Sequence, residues 1–341
     1  MSAYMPGEQP EVADFIKLNT NENPYGPAPR VFEAIRREAT ESLRLYPDPM
    51  AAPLRRKAAE VYGLSPEEIL VGNGSDELLS MAVRAFVGEG EALAYPVPTY
   101  SLYETLGRIQ NATLRPYPYG EDFSLPEELF GQDAPLTFLC NPNSPSGTLV
   151  DIDEVERLAQ SLKGVLVVDE AYVDFSSDNA LPLVKTCDNV IVLRSFSKSF
   201  SLAGMRLGLA LADGELIRGL AKVKDSYNVS RLAVAAGVAA LESLQEMKLN
   251  VSAVVGTREV FVSKLREMSL EVLPSEANFV MVRLGEGKAK RMYEALKERK
   301  ILVRFFENEA VSDSLRITIG TDAQMELLLR NMKEILKKEG L

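Results

Sequence analysis

With 341 residues, the chain is longer than one hydrophobic core usually serves. Cores stop growing near ~250–300 residues, so a large unit with a smaller companion is expected. Hydrophobic residues at 46% and charged residues at 26% exclude collagen-like, mucin-like and wholly disordered chains, and the excess of 49 acidic over 38 basic residues gives a net charge of −11, which repels nucleic acid and anionic lipid where no basic patch intervenes.

The opening stretch MSAYMPGEQPEVADF lacks the basic flank and apolar run of a signal peptide, and with NTNENPYGPAPR it reads as an irregular arm of the first ~28 residues. Helices are predicted from Pro29 to about Ser42 and from Pro53 to Tyr62. From Glu68 the pattern changes to short apolar runs, EEILVG, EALAYP, PLTFLC, GVLVVDE and NVIVLRS, separated by helix-like stretches such as DELLSMAVRAF and DIDEVERLAQSL. Buried strands alternating with helices predict a mainly parallel sheet covered on both faces. MRLGLALA reads as one more strand, and EMKLNVSAVVGTREVFVSKLREM as a long helix that carries the chain away from the sheet. After it, ANFVMVRL, KAKRMYEALKER, ILVR, SLRITIG and AQMELLLRNMKEILKK describe a compact αβ unit. The expected division is an arm with a small-domain segment over 1–40, a large domain over 41–245 and a small domain over 246–341. No run of ~20 apolar residues, as a membrane-spanning helix needs, is present.

Two cysteines, Cys140 and Cys187, make neither a disulfide framework nor a metal cluster and fit a reducing cytoplasm. Histidine is absent altogether. That removes Ser-His-Asp and Cys-His catalysis and HExxH zinc sites, so proton transfer near neutral pH falls to a shifted lysine, a shifted carboxylate or a cofactor.

Four segments at predicted strand ends, where open α/β sheets place ligands, carry candidate chemistry. In VGNGSDELL, glycines precede a helix start and can leave backbone N–H groups for an anion, although Ser75 also reads as a plain N-cap. CNPNSPSG fixes an irregular loop with polar donors, and serves equally as a stiff connector. VVDEAY ends a strand with Asp169, an acid deep enough to require a partner, structural or functional. In LRSFSKSFSLAGMRLG, Lys198 sits among small hydroxyl residues with Arg206 eight positions on, unlike a solvated charge run. A lysine with a depressed pKa is an amine nucleophile, and Ser195, Ser197 and Arg206 are natural phosphate ligands.

In this order the motifs resemble the fold-type I pyridoxal-phosphate enzymes of the class I/II aminotransferases, most closely the histidinol-phosphate aminotransferases. The resemblance runs from LNTNENPYGPAP through LYPDP, GNGSDE, NPNSPSG, DEAYVDF and SFSKSFSLAGMRLG to LRITIG. It implies an α/β fold whose large domain holds a mainly parallel seven-stranded sheet, with a small C-terminal αβ domain. It implies pyridoxal 5'-phosphate held as a Schiff base on Lys198, with Asp169 beside the pyridine nitrogen, Tyr172 reaching the ring's phenolate oxygen and Tyr100 stacked on the ring. The phosphate would lie on the N–H groups of Ser75 and Asp76, the hydroxyls of Ser195 and Ser197 and the guanidinium of Arg206. Tyr46 would reach it from a second subunit, making a homodimer part of the site. The family usually has Asn before Pro-Thr-Gly, where this chain has Ser144 and then Ser146; either Ser144 or Asn143 is expected to take that contact.

The reaction so implied is L-histidinol phosphate with 2-oxoglutarate giving imidazole acetol phosphate and L-glutamate, a step of histidine biosynthesis. Arg316 is the anion clamp by position and Arg304 a second cation, while Tyr25, Asn278 and Tyr227 are expected to help enclose substrate. Three other readings share the fold: an aminotransferase for aromatic or other amino acids, a pyridoxal-phosphate decarboxylase of a phosphorylated amino acid, and a cofactor-sensing regulator. The last would carry a DNA-binding segment, which is not expected here.

Overall fold

The structure, a computed structural model, describes residues 7–10 and 14–339. The reading of the opening stretch as an arm without an apolar leader falls in part on 1–6 and 11–13, outside the described residues.

The strands are β1 (Ile16–Lys17), β2 (Ile69–Gly72), β3 (Ala92–Val97), β4 (Thr113–Pro118), β5 (Leu136–Cys140), β6 (Val165–Asp169), β7 (Val190–Ser195), β8 (Gly208–Ala212), β9 (Glu271–Val272), β10 (Phe279–Arg283), β11 (Ile301–Leu302), β12 (Arg304–Phe305) and β13 (Ser314–Thr318). Seven of them form the large sheet, in the order β2-β8-β7-β6-β5-β3-β4. From β7 to β4 every pairing is parallel, whereas β8 runs antiparallel to both β7 and β2. The strands β5, β7 and β8 are buried along their whole length, which is why they read as continuous apolar runs. The outermost strand, β4, had no apolar signature; its Pro116 and Pro118 are tolerated because an edge strand has a side without ladder partners.

Helices α1 (Pro29–Glu38), α2 (Ala52–Tyr62), α3 (Ser75–Phe86), α4 (Leu102–Ile109), α5 (Ile152–Ser161), α6 (Leu183–Thr186), α7 (Gly214–Ala221), α8 (Arg231–Leu241), α9 (Leu244–Glu267), α10 (Lys288–Glu298) and α11 (Asp322–Glu339) complete the chain. The first ends four residues short of the expected Ser42: Thr40 accepts a hydrogen bond from Ser42 N and opens a separate turn over Glu41–Arg44. Asp151, Asp213 and Ser230 cap α5, α7 and α8, each accepting a backbone N–H of the first turn. The sequence RLAVAAGVAAL of α8 is apolar on nearly all sides, so it lacked a helical stripe; a side chain at Gly237 would come within 2.9 Å of Leu54 on α2.

Two apolar clusters cover the faces of the large sheet, and α1 joins one of them through Val31. A third cluster fills the C-terminal unit, where β12-β13-β10-β9 make a small antiparallel sheet under α10 and α11. The long α9 bridges the two, with Leu244 and Met247 against the large-sheet core and Phe261 and Leu265 in the small one. The arm is tied to this unit by β1, which pairs in parallel with β11.

Below the ends of β6 and β7 lies a buried ion pair, Arg194 Nε to Glu170 Oε2 at 2.8 Å. Arg194 also donates to Asn179 Oδ1 at 3.2 Å, and its guanidinium stands 5.7 Å from the Tyr62 ring. Burial pushes the Glu170 carboxyl up to about 7, only partly opposed by Arg194.

Candidate active site

The carboxyl ends of the parallel strands β3, β5, β6 and β7 lie side by side, and the loops that leave them enclose a cleft of about 350 Å³. The arm segment 19–22 and the small-sheet arginines close it from the other side. This volume falls in the range of small-molecule sites.

At one end the start of α3 makes an anion cradle. Gly74 takes φ +87°, and a Cβ there would meet Arg206 Nη2 at 2.6 Å; a Cβ at Gly208 would meet Ser75 N at 2.6 Å. Both positions need glycine because backbone and guanidinium come so close. Arg206, itself left-handed at φ +53°, reaches Asp76 Oδ2 at 3.0 Å and donates to Ser197 Oγ at 3.3 Å. Ser195 Oγ accepts from Ser197 N at 3.2 Å, so N–H groups, two hydroxyls and one fixed cation converge on one spot.

Deeper in, Asp169 ends β6 and is 3% exposed. Burial raises its carboxyl to about 6, against hydrogen bonds from Tyr103 and Ala171 N and the charge of Lys198. Lys198, on the loop after β7, donates to the Thr20 carbonyl at 3.3 Å, and its Nζ lies 5.5 Å from the Tyr172 ring. Burial, reinforced by Arg316, lowers this amine to about 8. The Tyr172 hydroxyl accepts from Asn21 Nδ2 at 3.0 Å, and Tyr100 donates to Asp76 Oδ1 at 3.1 Å.

The small sheet supplies cations. Arg304 and Arg316 are cross-strand neighbours on β12 and β13, with the Phe306 ring 5.3 Å from one guanidinium and 5.4 Å from the other. Arg316 donates to Ser144 Oγ at 3.1 Å and to the Asn19 carbonyl at 3.0 Å.

Of the residues singled out from sequence, Ser75, Asp76, Tyr100, Ser144, Asp169, Tyr172, Ser195, Ser197, Lys198, Arg206, Arg304 and Arg316 line this cleft. Others do not. Asn143 is buried, its carboxamide bonded to Thr99, Pro98 and Ser146, so of the two alternatives Ser144 faces the cleft. Asn278 is fully buried and donates to the Asn21 carbonyl at 3.0 Å, which holds the arm. Tyr25 packs against the core of the small unit. Tyr46 is 77% exposed and stacks on Tyr227 at 4.4 Å, outside the cleft of its own chain. Sequence reasoning missed Thr20, Asn21 and Phe306, which touch Lys198, Tyr172 and the two arginines. The signal for the first two was the TNEN punctuation, where Asn21 adopts φ +55°.

A profile of the family described as Aminotransferase class I and II matches residues 13–332. A histidinol-phosphate aminotransferase of a Geobacter species is 47% identical over 339 residues, covering 98% of this chain and 96% of that relative. Histidinol-phosphate aminotransferase 1 of Trichormus variabilis is 43% identical over 339 residues, covering 99% and 97%. Among solved structures, histidinol-phosphate aminotransferase from Sinorhizobium meliloti in complex with pyridoxal-5'-phosphate aligns with a TM-score of 0.89 at 30% identity, covering 95% of this chain and 91% of that one. Matched over nearly its whole length, the chain belongs to the class I and II aminotransferases.

Proposed function

We propose that this aminotransferase uses pyridoxal 5'-phosphate to convert L-histidinol phosphate and 2-oxoglutarate into imidazole acetol phosphate and L-glutamate, a step of histidine biosynthesis. The observation that carries the reading is one cleft holding Lys198 and Asp169 together with the neighbouring cations Arg304 and Arg316. The relatives' names support the same activity.

The residues present fit the cofactor. The close approach that glycine allows, of Arg206 to Gly74 and of the Ser75 N–H to Gly208, with Ser195 and Ser197 beside them, suits a phosphate group. Asp169, buried and lined up with the cleft, suits a protonated ring nitrogen, and Tyr172 with Ser144 suits a ring oxygen. Lys198 Nζ would hold the aldehyde carbon, and Tyr100 would cover the ring. When bound, the group supplies an electron sink for the negative charge that develops on the substrate carbon.

The chain's own part is to place and move protons. With its amine at about 8, Lys198 is partly neutral near that pH, so once displaced by the substrate amine Nζ would take the proton from the substrate carbon and deliver it to the cofactor carbon that it had held. Asp169 would accept a hydrogen bond from the protonated ring nitrogen and so keep that proton in place. Asn21 orients the Tyr172 hydroxyl, and the arm residues Asn19 to Glu22 keep bulk water from Lys198. Arg304 and Arg316, two cations at one place, favour a phosphate dianion in one half of the reaction and accept a carboxylate in the other.

In the same reading the chain divides into an arm with a small-domain segment (1–40), a cofactor-binding domain (41–245) and a small domain (246–341). It works as a homodimer in which Tyr46 of one subunit reaches the phosphate cradle of the other, an idea supported by the exposure of Tyr46 beside Leu43 and Leu45, which are about half exposed. A cytoplasmic location fits the free thiols of Cys140 and Cys187.

A panel of amine donors assayed with 2-oxoglutarate tests the reading. Histidinol phosphate is expected to be the preferred donor by kcat/KM, with ketone formed and no carbon dioxide released. Equal use of histidinol and its phosphate would make a general amino-acid aminotransferase the better description. Carbon dioxide release from a phosphorylated amino acid would assign a decarboxylase.

A further inference from the structure

We infer that Tyr103, a residue outside the cleft lining, is a positioning residue that holds the Asp169 carboxylate as an anion aimed into the site. This rests on the reading of Asp169 as the partner of the cofactor's ring nitrogen. Tyr103 lies in the first turn of α4, is 0% exposed and donates its hydroxyl to Asp169 Oδ2 at 3.0 Å. Its ring is fixed by Phe138 at 4.7 Å, Tyr95 at 6.3 Å and Tyr100 at 5.7 Å, so the hydroxyl cannot swing away. Asp169 Oδ1 accepts from Ala171 N at 3.3 Å. Each oxygen thus has one donor from the protein side, which sets the carboxylate plane and leaves acceptor capacity toward the cleft.

The charged and titratable groups that face Asp169 come from every neighbouring element: Tyr103 from α4, Asp76 from α3, Cys140 at the end of β5, Lys198 on the loop after β7 and Glu170 next along its own chain. Asp76 and Glu170 oppose a negative charge there. Lys198 favours it but leaves the ammonium form in its working state. Tyr103 is different, because burial pushes its phenol well above the ordinary tyrosine value and so it remains a donor at every working pH. A phenylalanine would keep the aromatic packing and remove the hydroxyl, which meets Asp169 and, beside it, the Cys140 thiol. A core tyrosine that contributed packing alone would have no effect on the titration of Asp169.

The test is the pH dependence of cofactor affinity, measured by titrating the cofactor-free full-length chain with pyridoxal 5'-phosphate and following absorbance. The wild-type chain is expected to lose affinity as pH falls through the Asp169 value of about 6. A hydrogen bond to a charged group corresponds to ~10- to 150-fold in an equilibrium constant, so Tyr103→Phe is expected to move this acid limb up by about one to two pH units. Ionisation of the ligand phosphate contributes equally to both chains and drops out of the difference. Asp169→Asn is expected to remove the Asp169 part of the limb and leave only that of the ligand phosphate, and Tyr103→Phe to have no further effect in that background. Tyr103→Met, similar in bulk and without the donor, is the second variant if Tyr103→Phe does not fold. An acid limb unmoved in both Tyr103 variants overturns the role of Tyr103. A limb unmoved in Asp169→Asn overturns the reading of Asp169, and the inference with it.

Discussion

Replacing Arg316 by lysine separates the geometry of the proposed anion clamp from its charge. The guanidinium is held between two parts of the chain, donating to Ser144 Oγ at 3.1 Å on the loop after β5 and to the Asn19 carbonyl at 3.0 Å on the arm. It also lies 5.2 Å from the Phe279 ring and 5.4 Å from Phe306. A guanidinium carries five donors in a rigid plane, whereas an ammonium is a point with three donors. A lysine cannot span Ser144 and Asn19 while meeting an anion as a fork. Loss of one charge-assisted contact is worth ~1.5–3 kcal/mol, or ~10- to 150-fold in kcat/KM. Arg316 is only partly buried, which places the expectation in the lower half of that range. Steady-state kinetics with histidinol phosphate and with glutamate should both register the loss. Arg316→Gln adds a second effect, because the Arg316 charge helps to lower the Lys198 amine to about 8. Without that charge the amine value rises, the neutral form becomes scarcer at neutral pH, and the acid limb of kcat moves to higher pH. Arg316→Lys keeps the charge and should leave that limb in place. Wild-type kcat/KM in Arg316→Lys for both substrates would refute the reasoning.

Arg304→Ala should raise KM for histidinol phosphate more than for glutamate, because only a dianion engages both cations; an equal change for the two donors would remove Arg304 from phosphate recognition. Arg194→Met strands the Glu170 carboxylate in the core, and breaking a buried pair in this way costs ~3–5 kcal/mol. The sign follows from Glu170, whose folded value of about 7 lies above its unfolded one: its contribution is fully present below the unfolded value and is lost as pH rises through about 7. The variant's deficit in denaturant unfolding should therefore shrink toward acid pH, and a deficit independent of pH would point to lost packing alone. Mixing inactive Tyr46→Ala with inactive Lys198→Ala should restore activity through hybrid dimers with one intact site; no recovery after verified subunit exchange would place both residues in one chain's site.

Much of this architecture is legible before any coordinates. Buried strands that end in a charged or hydroxyl residue, such as β6 at Asp169 and β7 at Ser195, announce both the sheet and the edge where chemistry gathers. What stays hidden depends on direction and register. MRLGLALA reads as a strand, but nothing in it says that β8 runs against its neighbours. Asn143 and Ser144 are adjacent and equally polar, and only the path of the loop turns one toward Thr99 and the other toward Arg316. Tyr103 looks like any core position of an amphipathic helix, since its partner Asp169 is 66 residues away. Tyr25 and Asn278 sit in motifs that draw attention, yet each anchors the chain around the cleft and does not line it.

The arm has a consequence for the order in which the protein is made. Residues 16–23 are among the first synthesised, yet several of their holds belong to late parts of the chain: Asn21 N donates to Thr318 Oγ1, 297 residues further on, and Ile16 and Lys17 pair with Ile301 and Leu302. The groups of this chain at the start of α3, by contrast, with Ser195, Ser197, Arg206 and Gly208, all lie before the end of β8. The groups proposed to hold the phosphate therefore all precede in the chain the segments of β11 and β13 that fasten the arm. The first and last segments of the chain must meet to bring the arm over Lys198 and Tyr172.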